Sequence, residues 1–481
     1  MRKIVLCALL GAAIILPRAW AQALPDLGGT ADVALTPQME RTIGESIMRD
    51  IRLRDRGYFD DPEIVDYLAR LGVALLAGGP QARQEFEFFA VRDPSINAFA
   101  LPGGFIGVNT GLLLAAESES ELAAVLAHEF AHVTQRHIAR LIGAQQQHAI
   151  PAMVAIAAAI LLGRSRPDLA GGAVAAVQAG SIQSQLSYTR DFEREADRIG
   201  MQTLSDAGFD ARAMGAFFDK LQRQTRVGDD ASVPSYLRTH PVTSERIADV
   251  EGRAATLSYR QRLDSLEFHL VRAKLRAESG NAQDAVTQIS TALRDGRYAN
   301  EAATRYGLVS ALLRAKEPRR AAAELERLRA TKSSSPMLES LAARVQRALG
   351  EREAALATLR EAMTRFPNRR FLAYDTASAL QEAGRNGPAI ALIAEQLRLY
   401  PRDAHLVRLQ AQTYAALGKR LLQHQSQAEL YVLQGSLPAA IEQLQLARSA
   451  GDGDFYQLSA VEARLKELRA RHEVELREKR R

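Results

Sequence analysis

The chain has 481 residues, of which 47% are hydrophobic, and this is enough for at least two domains with compact cores. Its 62 lysine and arginine residues exceed its 56 acidic residues by only six. A positive balance this mild does not indicate a nucleic-acid-binding protein, so no nucleic acid is expected as a partner.

The N-terminus has the pattern of a secretory signal peptide. Two basic residues precede an apolar run over residues 4–16, and Ala21 ends a small-residue cleavage pattern. The apolar run is short for a membrane span. We therefore expect residues 1–21 to be removed and the mature protein to be exported. Cys7, the only cysteine, lies within this signal, so the mature chain would contain no disulfide.

The central motif is H-E-x-x-H, formed by His128, Glu129 and His132. Side chains four residues apart on a helix lie about 40° from each other, so both imidazoles can reach one ion. Ser118 caps the predicted helix, and apolar periodicity continues through the motif. Glu129 lies beside the ion without having to bind it, which suits a general base. The alternative is a surface helix that carries its histidines by chance.

A catalytic zinc ion needs a third protein ligand. On a continuous helix His137 lies about 180° from His128, so we expect a structural or solvent-facing role for it. A second helical pattern over residues 187–200 places Glu193 and Asp197 four residues apart. Glu193 can bind zinc, and Asp197 can accept the second N–H of a zinc-bound imidazole. The alternative is an ordinary charged helix.

Two short apolar segments, residues 150–162 and 169–180, lie between the two halves of this site. Both are short for crossing about 30 Å of hydrocarbon. We therefore expect the hairpin at residues 144–186 to form a lid over the cleft, which could also touch a membrane surface, and not a pair of membrane spans.

The sequence H-E-F-A-H, followed some sixty residues later by E-R-E-A-D-R-I-G, resembles the zinc metallopeptidases typified by the CAAX prenyl endopeptidase and the heat-shock peptidase HtpX. The resemblance extends over about residues 35–255. It implies that Glu193 is the third zinc ligand and that Asp197 orients a zinc-bound imidazole without binding the ion itself. It also implies an edge strand over residues 97–100 beside the cleft.

The segment T-H-P-V-T-S-E-R-I at residues 239–247 resembles a loop of soluble periplasmic members that carry a C-terminal repeat domain. The resemblance implies that His240 approaches the zinc ion as a removable fourth ligand and that Arg246 lies near the site. Pro241 biases His240 away from helical backbone angles, which agrees with a ligand on a loop.

After about residue 260 the sequence becomes periodic. Gly350, Gly384 and Gly418 are 34 residues apart, which is the length of a tetratricopeptide repeat. The 34-residue period matches this repeat, but the sequence lacks the aromatic residues of the repeat consensus. We expect four to five repeats that stack into a curved solenoid over residues 261–481 and end in a capping helix. Because such an array has its own core, we expect residues 22–260 to fold without it. The alternative for the last helix is an anchor to anionic lipid.

These patterns together predict a mainly α protein with a small β-sheet: a zincin-like metallopeptidase domain at residues 22–260, then an α-solenoid, with one Zn²⁺ per chain. The resemblance implies a periplasmic endopeptidase that degrades outer-membrane proteins or assists their assembly. Its expected partners are unfolded or stalled outer-membrane proteins and their assembly machinery. The alternatives are a non-proteolytic chaperone or adaptor with a structural zinc, and a general exported peptidase. The intact Glu129 argues against a structural zinc site.

Overall fold

The computed structural model describes residues 35–77, 85–144, 190–227 and 235–478. The predicted signal peptide lies outside these ranges, as does nearly all of the apolar hairpin predicted at residues 144–186. Among the described helices, none combines the length and the apolar character that crossing a membrane requires.

A four-stranded sheet forms one wall of the first domain. Its strands are β1 (Tyr58–Phe59), β2 (Glu87–Val91), β3 (Ala98–Leu101) and β4 (Phe105–Asn109). They lie in the order β1-β2-β4-β3, with β2 and β4 parallel and the other neighbours antiparallel. Gly103 and Gly104 turn the chain between β3 and β4 with φ values of 79° and 90°, which favour glycine. Strand β3 is therefore an edge strand of the described sheet.

Helices cover this sheet and complete the first domain. They are α1 (Pro37–Arg54), α2 (Pro62–Leu76), α3 (Thr110–Ala115), α4 (Glu119–Thr134), α5 (His137–Ala144), α6 (Arg190–Asp206), α7 (Arg212–Val227), α8 (Ser235–Thr239) and α9 (Ser244–Thr256). Helix α4 is buried along nearly its whole length because it packs against both α6 and β3. A helix enclosed in this way can hold side chains in fixed positions away from water.

The second domain consists of paired helices. They are α10 (Leu266–Glu278), α11 (Ala282–Arg294), α12 (Glu301–Arg314), α13 (Pro318–Ala330), α14 (Pro336–Ala348), α15 (Arg352–Arg365), α16 (Arg370–Glu382), α17 (Asn386–Leu399), α18 (Ala404–Ala416), α19 (Arg420–Gln434), α20 (Leu437–Arg448) and α21 (Phe455–Glu478). Gly350, Gly384 and Gly418 have φ values of 83°, 72° and 70°, and each ends the first helix of a pair. The predicted fold class, mainly α with a small sheet and a C-terminal helical repeat region, is confirmed.

The two domains share one hydrophobic core. It runs from Ile64 in α2 to Ala389 in α17, because α10 packs on α2 and α3 and α16 packs on α2. The last helices return to the first domain, where a Cβ atom on Gly435 would lie 2.3 Å from the side chain of Arg49. The expectation that the repeats share little core with the first domain is therefore wrong.

Candidate metal centre

Helix α4 carries the H-E-x-x-H motif. It begins where the Ser118 hydroxyl accepts a hydrogen bond from the Glu121 N–H at 3.2 Å. One turn separates His128 from His132, and their Nε2 atoms lie 3.0 Å apart. Both side chains are 1% exposed, so water does not compete for these nitrogen atoms.

Helix α6 brings a carboxylate to the two imidazoles. The helices approach closely at Gly200, where a Cβ atom would lie 3.1 Å from the backbone nitrogen of His128. Glu193, two turns earlier, has one carboxylate oxygen 3.4 Å from His132 Nε2 and the other 3.5 Å from His128 Nε2. Gly200 thus lets α6 approach α4 closely enough for Glu193 to reach the two histidines.

The fourth group comes from the segment after α8. The N–H of His240 donates to the Tyr236 carbonyl at 2.8 Å, and its ring stacks on the Tyr236 ring with centroids 4.7 Å apart. Its Nδ1 atom lies 3.3 Å from His128 Nε2 and 3.1 Å from a carboxylate oxygen of Glu193. Ligand atoms of His128, His132, Glu193 and His240 thus all lie within 4.8 Å of one another, and all four residues are buried.

Asp197 and Arg246 support this cluster. Asp197 lies 2.9 Å from His128 Nδ1, the nitrogen that faces away from the other ligands. Arg246 donates two hydrogen bonds of 2.7 Å to Asp197, and its Nη1 lies 2.8 Å from Glu193. Burial raises the pKa of the Asp197 carboxyl, but its contacts with His128 and Arg246 outweigh burial and lower the pKa below its usual value.

Glu129 faces the same cluster from α4. Its side chain is fully buried, and neither carboxylate oxygen accepts a well-formed hydrogen bond from the described residues. Its Oε1 atom lies 3.5 Å from His240 Nε2. Burial raises the pKa of this carboxyl. A buried carboxylate whose oxygens accept no well-formed hydrogen bond is costly unless a bound molecule or ion uses it.

His137 is not where the continuous-helix argument placed it, and its side chain does not face solvent, so these two parts of the prediction are wrong. The expected structural role is not contradicted. Helix α4 ends at Thr134, Arg136 has a φ of 52°, and His137 begins α5. The His137 ring is consequently buried beside His132, with the two Nδ1 atoms 2.8 Å apart. Burial lowers the pKa of His137 to about 4, although Glu195 acts in the opposite direction.

The structure therefore brings together every residue that the sequence suggested for this site: His128, Glu129, His132, Glu193, Asp197, His240 and Arg246. Sequence reasoning missed three neighbours, namely His137, Glu195 and Tyr236. For His137 the signal was present, since a third histidine follows the motif after four residues, but it depended on where α4 ends.

The donor set fits a metal ion. Three imidazole nitrogens and a carboxylate crowd together without enough protons to satisfy their lone pairs, and such crowding is stable when a cation lies between them. A glutamate that points at the cluster without joining it completes the arrangement. The fold and the site therefore define a metallopeptidase with an H-E-x-x-H helix and a carboxylate ligand from a second helix.

Comparison with known proteins gives the family. The chain belongs to peptidase family M48, whose model matches residues 66–254. It is 31% identical to the beta-barrel assembly-enhancing protease of Yersinia pestis over 94% of this chain and 92% of that protein. The protein of the same name from Escherichia coli K12 is 31% identical over 93% and 92%. Mitochondrial metalloendopeptidase OMA1 of Arabidopsis thaliana is 31% identical over 47% of this chain and 44% of its own. The chain is thus a metalloprotease.

Proposed function

We propose that this metalloprotease is a zinc-dependent endopeptidase whose ion is held by His128, His132 and Glu193, with His240 as a fourth ligand. The observation that carries the proposal is the convergence of four buried ligand atoms beside the buried carboxylate of Glu129, whose oxygens accept no well-formed hydrogen bond from the described residues. Donor atoms around a tetrahedral zinc ion lie roughly 3.3–3.5 Å apart. Here the donor pairs that include His128 or Glu193 are 3.0–3.5 Å apart, and all four donor atoms lie within 4.8 Å of one another.

A bound zinc ion would polarise the scissile carbonyl and lower the pKa of a water molecule. Glu129 is placed to take the proton of that water and to deliver it to the leaving amine. Burial raises the pKa of Glu129 above its usual value, and a raised pKa suits a group that both accepts and returns a proton. Asp197, held by Arg246, fixes the orientation of His128 by facing its Nδ1 atom.

Edge strand β3 is the proposed docking site for the substrate backbone. An extended peptide can add to an exposed sheet edge through main-chain hydrogen bonds. Helix α4 packs against β3, so a peptide on this edge would run close to Glu129. Main-chain recognition makes sequence selectivity weak, and unfolded or stalled chains are then natural substrates.

His240 gives the site a resting state. A fourth protein ligand occupies the position that a catalytic zinc site leaves to water. The segment that carries His240 also closes on the start of the edge strand, because the Tyr236 N–H donates to the Ile96 carbonyl at 3.2 Å. We infer that release of this segment would free both the ligand position and the strand edge.

We further propose that the protein acts in the periplasm on outer-membrane proteins and their assembly machinery. The support is the similarity to beta-barrel assembly-enhancing proteases over 92% of their length, together with the predicted signal peptide. The helical repeats would recruit the substrates, since stacked helix pairs form extended binding surfaces.

Replacement of the base without loss of the metal tests this proposal. Glu129→Gln should keep one zinc per chain and lose casein cleavage by about 10²–10⁴-fold, because it removes the proton acceptor and no ligand. Glu193→Ala should lose zinc as well as activity. Glu251→Gln, at an exposed position of α9, is the matched control and should change neither. Casein cleavage by Glu129→Gln at the wild-type rate would refute the mechanism.

A further inference from the structure

The turn after α4 brings a second histidine against a proposed zinc ligand. Arg136 adopts the left-handed conformation, with φ 52°, and its Nε donates to the Glu40 carboxylate at 3.0 Å. This anchored turn ends α4 and directs His137 back towards His132. The two Nδ1 atoms are 2.8 Å apart, which is a hydrogen-bond distance.

The contact continues to a carboxylate on α6. The other ring nitrogen of His137, Nε2, lies 3.2 Å from Glu195 Oε2. Arg140 donates to the same oxygen at 2.7 Å. Phe192 stacks on the His137 ring with a centroid distance of 4.6 Å and an interplanar angle of 9°. The ring is therefore fixed in position and in plane.

These contacts allow one arrangement of protons. His132 presents Nε2 to the cluster, and a metal-bound nitrogen must offer a lone pair, so the proton of His132 resides on Nδ1. That N–H can donate to His137 Nδ1 when this nitrogen carries no proton. The proton of His137 is then on Nε2, directed at Glu195. The reverse tautomer of His137 would place two N–H groups 2.8 Å apart and turn a lone pair towards a carboxylate.

We propose that His137 and Glu195 form a hydrogen-bond relay that fixes the tautomer and the orientation of His132, an inference that rests on the zinc site proposed above. They are positioning residues, since neither belongs to the cluster of ligand atoms. His128 has the same support in a shorter form, because Asp197 lies directly against its Nδ1. Groups that orient metal ligands in this way typically contribute about 10–100-fold to metal affinity.

Zinc affinity measured by competition with a chelating dye tests the relay independently of proteolysis. The full chain in the Glu129→Gln background serves as the reference protein. His137→Phe keeps an aromatic ring against Phe192 but removes both nitrogens, and we expect its zinc dissociation constant to rise at least about tenfold. Glu195→Leu should act in the same direction. Glu195→Gln, whose amide oxygen can still accept from His137, should retain most of the affinity.

Asp191→Leu is the control for the loss of an acidic side chain from α6, since Asp191 is 88% exposed and should leave zinc affinity unchanged. The nitrogen chemical shifts of histidine-labelled, zinc-loaded protein should show His132 protonated on Nδ1. If packing were the only role of His137, the phenylalanine variant would bind zinc as tightly as the reference.

Unchanged affinity in both His137→Phe and Glu195→Leu would overturn the relay and leave the proposed function intact. Because Glu195 is 26% exposed, its replacement keeps the test valid even if His137→Phe fails to fold. A reference protein that bound no zinc at all would overturn the relay and the proposed function together.

Discussion

The domain junction and the candidate metal centre both bury charged or titratable side chains, but only the junction satisfies its own charges. At the junction, Lys274 from α10 lies 2.6 Å from Asp61 and 2.5 Å from Glu63. Arg344 from α14 lies 3.3 Å from the other oxygen of Glu63, and the Tyr306 hydroxyl donates to Glu63 at 3.2 Å. Cations and carboxylates alternate, so no ligand is needed.

At the metal centre the buried groups do not satisfy one another's hydrogen bonds. His128 Nε2 lies 3.0 Å from His132 Nε2 and 3.3 Å from His240 Nδ1, and both oxygens of Glu129 lack a well-formed hydrogen bond from the described residues. A folded protein tolerates buried polar groups without hydrogen bonds where a bound ligand supplies the missing contacts. Neighbouring groups of opposite charge thus indicate a structural cluster, and buried lone-pair donors that face one another indicate a site for a ligand.

The largest expected effect comes from removing the partners that complete the junction. A chain that ends at residue 260 would expose the face of α2 that packs on the repeats and leave Glu63 without Lys274 and Arg344. We expect insoluble or unfolded protein, because the shared core is cut. Solubility and far-UV circular dichroism after expression measure this outcome.

A shorter deletion is the control for that experiment. The last helices, from Leu421 to Leu468, form a hydrophobic cluster separate from the shared core. A chain that ends at residue 419 should therefore remain soluble and zinc-loaded. A soluble, zinc-loaded chain that ended at residue 260 would show instead that the junction is not required for folding.

A single substitution can disrupt the ion-pair cluster at the domain junction. Glu63→Gln removes the negative charge between the buried Lys274 and the half-buried Arg344, and breaking a buried ion pair in this way costs about 3–5 kcal/mol. We expect that loss of unfolding free energy in urea with zinc content unchanged. Glu326→Gln, at a position that is 71% exposed, is the control and should be nearly neutral. A Glu63→Gln protein as stable as wild type would contradict the role assigned to the junction.

The effect of Glu63 should also depend on pH. Burial disfavours its charge, but Arg344 and Lys274 outweigh burial and lower the pKa from 4.5 to about 2. Because the pKa is lower in the folded state, the stabilisation is present above about pH 4.5 and is lost as the pH falls towards 2. The stability difference between wild type and Glu63→Gln should therefore narrow over this interval.

The sequence could predict structures that depend on local or periodic patterns, but not contacts between distant residues. The H-E-x-x-H helix and the period of Gly350, Gly384 and Gly418 are local or periodic patterns, and both predict their structures directly. The position predicted for His137 was wrong because α4 ends at Thr134 and the chain turns at Arg136, where no glycine or proline indicates a break. The junction left no pattern at all, since Lys274 and Glu63 are 211 residues apart and meet only in the folded chain.

The smallest expected effect on the fold, and a decisive one for function, comes from His240→Ala. This change removes one donor from a cluster that retains His128, His132 and Glu193, so zinc should stay bound while the fourth position becomes free for water. We expect basal casein cleavage to rise a few-fold, with one zinc per chain. The competing outcome is a fall in turnover at unchanged zinc content, which would mean that His240 stabilises the oxyanion of the transition state.

His424→Ala, in repeat helix α19, is the control and should alter neither casein cleavage nor zinc content. Because His240→Ala frees the ligand position while the Tyr236 N–H still donates to the Ile96 carbonyl, the gain should be larger for a short peptide that fits the site without displacing this segment than for unfolded casein. Unchanged activity and unchanged zinc in His240→Ala would remove this histidine from the site.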